Sequence, residues 1–199
     1  MTRRRLEINK ITIFAMFLTL GWLLPFLTFQ STEIGNMFSL MHLPVIIGGF
    51  ILGPIYGILL GVVTPLTRTL MFGMPPIYPV SLAMAVELGI YGLVSGFLYN
   101  LLARKLNLNQ ILSIYISLIS AMILGRAAWG FTRYFMGLAA TNGFTFAMFL
   151  SGAFITAYPG IILQLILIPA VIYLLNRLNI LDKYFVLKKK EVEIKDAQN

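Results

Sequence analysis

The chain has 199 residues, of which 59% are hydrophobic and only 11% are charged; this composition excludes an ordinary water-soluble domain and indicates a bundle of membrane helices. Its formal net charge of +8 does not indicate nucleic-acid binding, because the Lys and Arg residues lie between and outside the apolar stretches. The absence of cysteine excludes disulfides and thiolate metal sites, and the single histidine cannot form a zinc site alone.

Six apolar stretches follow one another along the chain, and each is near the length of about 20 residues that a membrane-crossing helix requires. They occupy residues 11–28, 39–52, 54–72, 79–103, 110–135 and 145–177. The second stretch is short and meets the third at Gly53-Pro54, a pair that predicts a tight turn between antiparallel helices. We therefore predict an all-α integral membrane protein in which residues 1–180 form a bundle of six transmembrane helices.

The distribution of Lys and Arg predicts how these helices are oriented. Basic residues lie in the first ten positions, at Arg104 and Lys105, and in the tail from Arg177 to Lys195. The connections on the other side, near residues 30–36, 73–77 and 137–145, contain no Lys or Arg. The positive-inside rule therefore predicts that both termini are cytoplasmic. Residues 181–199 are predicted to form a charged cytoplasmic tail that is solvated or contacts lipid headgroups.

Four charged side chains fall inside the predicted spans: Arg68, Glu87, Arg126 and Arg133. A charge at membrane depth is costly unless it is paired or hydrated, so each is a candidate functional residue. On the predicted topology all four lie in the outer half. One carboxylate against two or three guanidinium groups leaves a surplus of positive charge, which a bound carboxylate would neutralise. The alternatives are that Glu87 simply pairs with Arg68 or Arg126 as a packing contact, and that Arg133 extends to the membrane interface.

Further polar and aromatic side chains are predicted at a similar depth. His42 follows the outer loop that carries Asn36, although a neutral imidazole bonded to a helix carbonyl is an alternative for it. Trp129, Tyr91 and Tyr158 are candidates for enclosing a small organic molecule, and packing or an interfacial aromatic belt is the alternative. The predicted binding site therefore comprises Asn36, His42, Arg68, Glu87, Tyr91, Arg126, Trp129, Arg133 and Tyr158.

The apolar loop at residues 72–79 contains three prolines, and it is predicted either to cap this site or to lie on the membrane surface. No phosphate-binding loop, GxGxxG pattern, nucleophile–base pair or metal-ligand cluster is visible. We therefore predict a protein that is not an enzyme and carries no cofactor or metal, so that any ATP hydrolysis occurs on another chain.

Four short stretches carry a resemblance to a known family: residues 41–44 (MHLP), 53–57 (GPIYG), 64–68 (TPLTR) and 72–76 (FGMPP). They resemble the S components of energy-coupling factor (ECF) transporters, in the branch that contains pantothenate and hydroxymethylpyrimidine carriers. The resemblance implies a six-helix protein of the bacterial cell membrane that binds a vitamin or vitamin precursor near the outer face.

The same resemblance implies partners. An S component docks onto a transmembrane coupling protein that carries two cytoplasmic ATPase subunits, and it is thought to topple in the membrane to release its substrate inward. The family's first helix docks through an Ala-x-x-x-Ala surface. Here Ala15 matches the first position and Thr19 replaces the second alanine.

The surplus of arginine favours an anionic vitamin, and we predict pantothenate because of its carboxylate. Hydroxymethylpyrimidine, pyridoxine or another vitamin is the alternative within the class, since a planar ring would stack on Trp129. From a different class, the chain would be a self-sufficient secondary carrier or channel that transports without ATPase partners.

Overall fold

The computed structural model describes residues 3–28, 32–138 and 143–178, and every regular element within these ranges is helical. The eight α-helices are α1 (Arg3–Leu23), α2 (Thr32–Phe38), α3 (His42–Leu52), α4 (Pro54–Phe72), α5 (Leu82–Tyr99), α6 (Gln110–Leu138), α7 (Phe146–Leu150) and α8 (Tyr158–Arg177). A 3₁₀ turn at Leu24–Thr28 continues α1, and wider π-type turns lie at Ile77–Ser81, Asn100–Lys105 and Ser151–Ile155.

Within the described residues, five helical segments are long and apolar enough to cross a bilayer, and each overlaps a predicted stretch. They are Glu7–Thr28, Pro54–Phe72, Ile77–Ala103, Gln110–Gly137 and Tyr158–Arg177. Large apolar side chains such as Ile55, Phe131 and Ile166 are exposed on the outside of the bundle. Because these side chains need an apolar medium, the architecture is that of an all-helical membrane protein.

The two remaining apolar regions differ from the simple prediction of one helix each. The second stretch forms α3, whose 11 residues span roughly 16 Å, about half the thickness of a bilayer core. Nine of its residues, from His42 to Phe50, are buried, so α3 is an internal helix of the bundle. The sixth stretch is interrupted at Thr156 and Ala157, and α8 begins there with Pro159 in its first turn. Six complete crossings therefore stay a prediction.

Helices α3, α4 and α5 pack with their backbones in contact. A Cβ atom added to Gly57 would lie 2.3 Å from the carbonyl oxygen of Gly92, and one added to Gly49 would lie 2.5 Å from the same oxygen. Such distances exclude any side chain, so glycine is required for this close approach. The predicted turn at Gly53 is present and has a positive φ of 89°, which glycine adopts without strain.

Helix α1 lies at the edge of the bundle and packs against α3 and α4. The indole nitrogen of Trp22 donates a hydrogen bond of 3.0 Å to the hydroxyl of Thr67 on α4. Ala15 and Thr19 are both exposed on the outward side of α1. The helix therefore offers an uncovered face in the described structure.

Candidate functional site

A cavity of about 520 Å³ lies at one end of the bundle, where several helix ends and connections converge. Its walls come from the 3₁₀ turn after α1, from α2 and the connection that follows it, from helices α3 to α6, and from residues 74–80 and 152–157. This volume falls within the range of small-molecule sites, which is about 300–1,000 Å³. The cavity is therefore large enough to enclose a vitamin-sized molecule.

Most of the predicted site residues lie around this cavity, although they come from four different helices. His42, Arg68, Glu87, Arg126, Trp129 and Arg133 all line it. His42, Arg68, Glu87 and Arg126 are each at least 94% buried. The structure thus brings together side chains that are far apart in the sequence, from His42 on α3 to Arg133 on α6.

Three predicted residues are not among the lining side chains. Tyr91 is completely buried behind the cavity, where its ring meets that of His42 edge-on at 5.2 Å. Tyr158 is 63% exposed at the start of α8 and does not line the cavity. The side chain of Asn36 lies outside the described residues, although α2 itself reaches the cavity at Gly35.

Glu87 faces a histidine rather than an arginine. Its Oε1 atom lies 3.5 Å from Nε2 of His42, and Nδ1 of the same ring lies 3.1 Å from the carbonyl oxygen of Ser39. Within residues 3–28, 32–138 and 143–178, no ion pair joins Glu87 to Arg68 or Arg126. The three guanidinium groups at the cavity therefore have no carboxylate partner among the described side chains.

Arg126 is held on one side and unpaired on the other. Its Nη1 atom donates a hydrogen bond to the carbonyl oxygen of Ala153, which lies in the irregular turn after α7. Its Nε and Nη2 atoms are buried and have no hydrogen-bond partner among the described residues. These two nitrogens form one edge of the planar guanidinium, and such an edge binds both oxygens of a carboxylate.

Arg68 connects α4 to the proline-containing loop. Its Nη1 atom donates a hydrogen bond of 2.8 Å to the carbonyl oxygen of Met74. Next to it, the hydroxyl of Thr69 lies 2.8 Å from the carbonyl oxygen of Pro75. Because Met74, Pro75 and Pro76 line the cavity, the loop forms part of its wall.

The aromatic side of the cavity is built around Trp129. The Trp129 ring stacks on Phe149 with centroids 6.3 Å apart and meets Phe144 edge-on at 5.7 Å. The guanidinium of Arg133 lies 5.6 Å from the centroid of the Phe144 ring. A Cβ atom on Gly152 would come within 3.0 Å of the Trp129 ring, so the small residue leaves room for the indole.

Several lining residues were not predicted, among them Thr28, Ser39, Gly152 and Thr156. They lie in connections and irregular turns, where helical periodicity does not show which residues lie on the same side. The available signal was Pro159, which predicts a break in the last apolar stretch close to Thr156. Among the described residues, no group of three or more His, Asp or Glu side chains lies close enough to hold a metal ion.

Comparison with known proteins identifies a family. No curated protein and no solved structure matches the chain. A family model described as "ECF transporter, substrate-specific component" matches residues 9–172, which include every lining residue of the cavity. Proteins of this family are membrane subunits that bind a small-molecule substrate and work with a coupling subunit and ATPase subunits. The chain therefore belongs to the substrate-specific components of ECF transporters.

Proposed function

We propose that this substrate-specific component binds a small vitamin that carries a carboxylate, with pantothenate as the first candidate. The observation that carries the proposal is the charge of the cavity. Arg68, Arg126 and Arg133 against Glu87 leave a surplus of two positive charges among the described lining side chains when His42 is neutral. Buried charges are stable only when they are paired, so an anion is the expected ligand.

The unpaired edge of Arg126 supports a carboxylate in particular. Nε and Nη2 are both buried donors, and Nη1 is already bonded to the carbonyl of Ala153, so the guanidinium is held in one orientation. A carboxylate that accepts from both nitrogens would satisfy them together without disturbing that bond. Glu87 does not pair with Arg126 in the described structure, and its Oε1 atom lies instead 3.5 Å from Nε2 of His42.

A planar vitamin such as hydroxymethylpyrimidine or pyridoxine is the second candidate. It is favoured by Trp129, an aromatic ring that lines the cavity and is braced by Phe149. Such a ligand would stack on the indole but would leave the surplus arginine charge without a partner. For that reason we place the carboxylate first.

The experiment that separates these candidates is a binding titration on the purified protein. Binding is measured by calorimetry and by the shift in the thermal unfolding temperature. Pantothenate is compared with its neutral alcohol analogue, in which CH₂OH replaces the carboxylate, and with hydroxymethylpyrimidine and pyridoxine. We expect tight binding of pantothenate and much weaker binding of the alcohol. Tight binding of a neutral ring together with no binding of pantothenate would show that the proposed substrate is wrong.

We also propose a membrane topology and a docking surface for the chain. The chain crosses a bacterial cell membrane six times with both termini in the cytoplasm, the cavity opens to the outside, and residues 181–199 form a cytoplasmic tail. That tail lies outside the described residues. The exposed positions Ala15 and Thr19 on α1 form the surface that docks on the coupling protein.

A self-sufficient carrier is the competing mechanism, and it would transport the vitamin when reconstituted without the ATPase subunits.

A further inference from the structure

A second hollow lies on the outside of the bundle, and we call it the α6–α7 groove. It has a volume of about 410 Å³ and is formed by Ala127, Gly130, Phe131, Tyr134, Phe144, Thr145, Phe146 and Phe149. Its α6 residues belong to the segment Gln110–Gly137, which is long and apolar enough to cross the membrane. The medium in front of the groove is therefore lipid rather than water.

We propose that the α6–α7 groove binds one acyl chain of a phospholipid. The walls are almost entirely aromatic and aliphatic, and no charged side chain is among the lining residues. The hydroxyl of Thr145 accepts a hydrogen bond from the backbone nitrogen of Met148 and so caps the start of α7, a role that involves no ligand. An alkyl chain is the occupant that such walls at membrane depth accept without a desolvation cost.

Charge at the edge of the groove favours a phospholipid over an uncharged lipid. Arg133 lies on α6 between Gly130 and Tyr134, which both line the groove, and its guanidinium sits over the ring of Phe144. No carboxylate forms an ion pair with Arg133 in the described part of the chain. A cation near the end of a membrane-crossing helix, next to an apolar groove, suits a lipid phosphate whose chain lies in that groove. With Arg133 paired to the phosphate, Arg68 and Arg126 against Glu87 still leave one positive charge in the cavity for a substrate anion.

The groove and the substrate cavity share a wall. Trp129 lines the cavity, while the two rings that support it, Phe144 and Phe149, line the groove. A chain in the groove would pack behind these rings and restrict their movement. Lipid bound on one side would therefore stabilise the position of the indole on the other side.

Fluorescence quenching by lipids with brominated acyl chains tests the proposal, because bromine quenches tryptophan only at short range. The chain has two tryptophans, so Trp22→Phe leaves Trp129 as the only reporter. Ala127→Phe fills the groove with a ring, and Ala127 is exposed, so the substitution removes no core packing. Ala170→Phe on the exposed side of α8 is the matched control. The variants are compared in vesicles of brominated and ordinary phosphatidylglycerol.

We expect strong quenching of Trp129 in the parent and in Ala170→Phe, and quenching at least halved in Ala127→Phe. Equal quenching in all three proteins, or none in the parent, would overturn the proposal.

Native mass spectrometry of the protein with both tryptophans gives a second measurement, in case Trp22→Phe disturbs the fold. A retained phospholipid that is lost in Ala127→Phe and kept in Ala170→Phe supports the groove, and equal retention in both variants contradicts it. Neither measurement requires the vitamin, so its outcome is independent of the proposed substrate.

Discussion

Arg126 shows how one side chain can be both anchored and available. The bond from Nη1 to the carbonyl of Ala153 fixes the plane of the guanidinium, while the edge formed by Nε and Nη2 is left without a partner among the described residues. An anchored donor pair loses little conformational entropy when it binds a ligand, because its rotamer is already set. This arrangement makes Arg126 the side chain on which anion binding should depend most.

We predict that Arg126→Gln weakens binding of pantothenate by about 10- to 150-fold, since a hydrogen bond to a charged group contributes about 1.5–3 kcal/mol. The measurement is the Kd from calorimetry on the purified protein. Arg177→Gln, at the exposed end of α8, is the control and should leave the Kd unchanged.

The same substitution also separates a binding role from a structural one. If Arg126 serves the ligand, the ligand-free variant should unfold at the same temperature as the parent or higher, because a buried unpaired charge is removed. A lower unfolding temperature with an unchanged Kd would instead assign Arg126 to packing.

At the scale of helices, the contact between α4 and α5 depends on the absence of side chains. A Cβ atom on Gly57 would lie 2.3 Å from a backbone oxygen of α5, which cannot move aside as a flexible side chain would. We predict that Gly57→Ala destabilises the protein by about 1–3 kcal/mol, the usual cost of overpacking. Thermal unfolding in detergent measures this. Gly143→Ala is the control, since a Cβ atom there meets no atom within 4 Å; equal effects of the two substitutions would contradict the prediction.

The sequence predicted the long helices that carry Arg68, Glu87 and Arg126, and the structure places these three side chains around one cavity. They were predicted as candidates because ionisable groups at membrane depth are rare and costly, and their role in binding stays a prediction. The second stretch was predicted to be short, but its position inside the bundle was not predicted, because an apolar stretch has the same composition whether it faces lipid or is buried.

The wall formed by Gly152 and Thr156 was missed for a related reason. These residues lie at the cavity because the helix is interrupted between α7 and α8. Helical spacing does not predict which side chains of an irregular turn face a cavity. The pairing of Glu87 with His42 was also not predicted, since it depends on how α3 and α5 pack and not on any spacing along the chain.

For the whole molecule, the proposed orientation can be tested because the chain contains no cysteine. Gly143 lies in the connection before α7, and Lys105 lies in the connection before α6; both are exposed. We predict that a membrane-impermeant thiol reagent labels Gly143→Cys in intact cells and labels Lys105→Cys only after permeabilisation, as the positive-inside rule requires. The reverse pattern would invert the topology, and labelling of both in intact cells would exclude the proposed number of crossings.

Docking on the coupling protein is the second prediction at this scale. Ala15 and Thr19 form a small, exposed surface on α1, and a large side chain there would hold another helix away. We expect Ala15→Leu to abolish co-purification with the coupling and ATPase subunits and to leave the Kd for the vitamin unchanged. Ala170→Leu, on the exposed side of α8, should affect neither measurement. Normal co-purification of Ala15→Leu would show that α1 is not the docking surface.

The backbone contact among α3, α4 and α5 has a consequence for how relatives of this chain could acquire new substrates. His42, Arg68 and Glu87 are carried on helices whose spacing is set by glycine and tolerates little change. The opposite wall, at residues 152–157, is an irregular turn between two helices, and its glycine, Gly152, faces the side chain of Trp129 and not a neighbouring backbone. We therefore expect that proteins with a different substrate differ mainly in that turn, and that the three-helix block is inherited with few alterations.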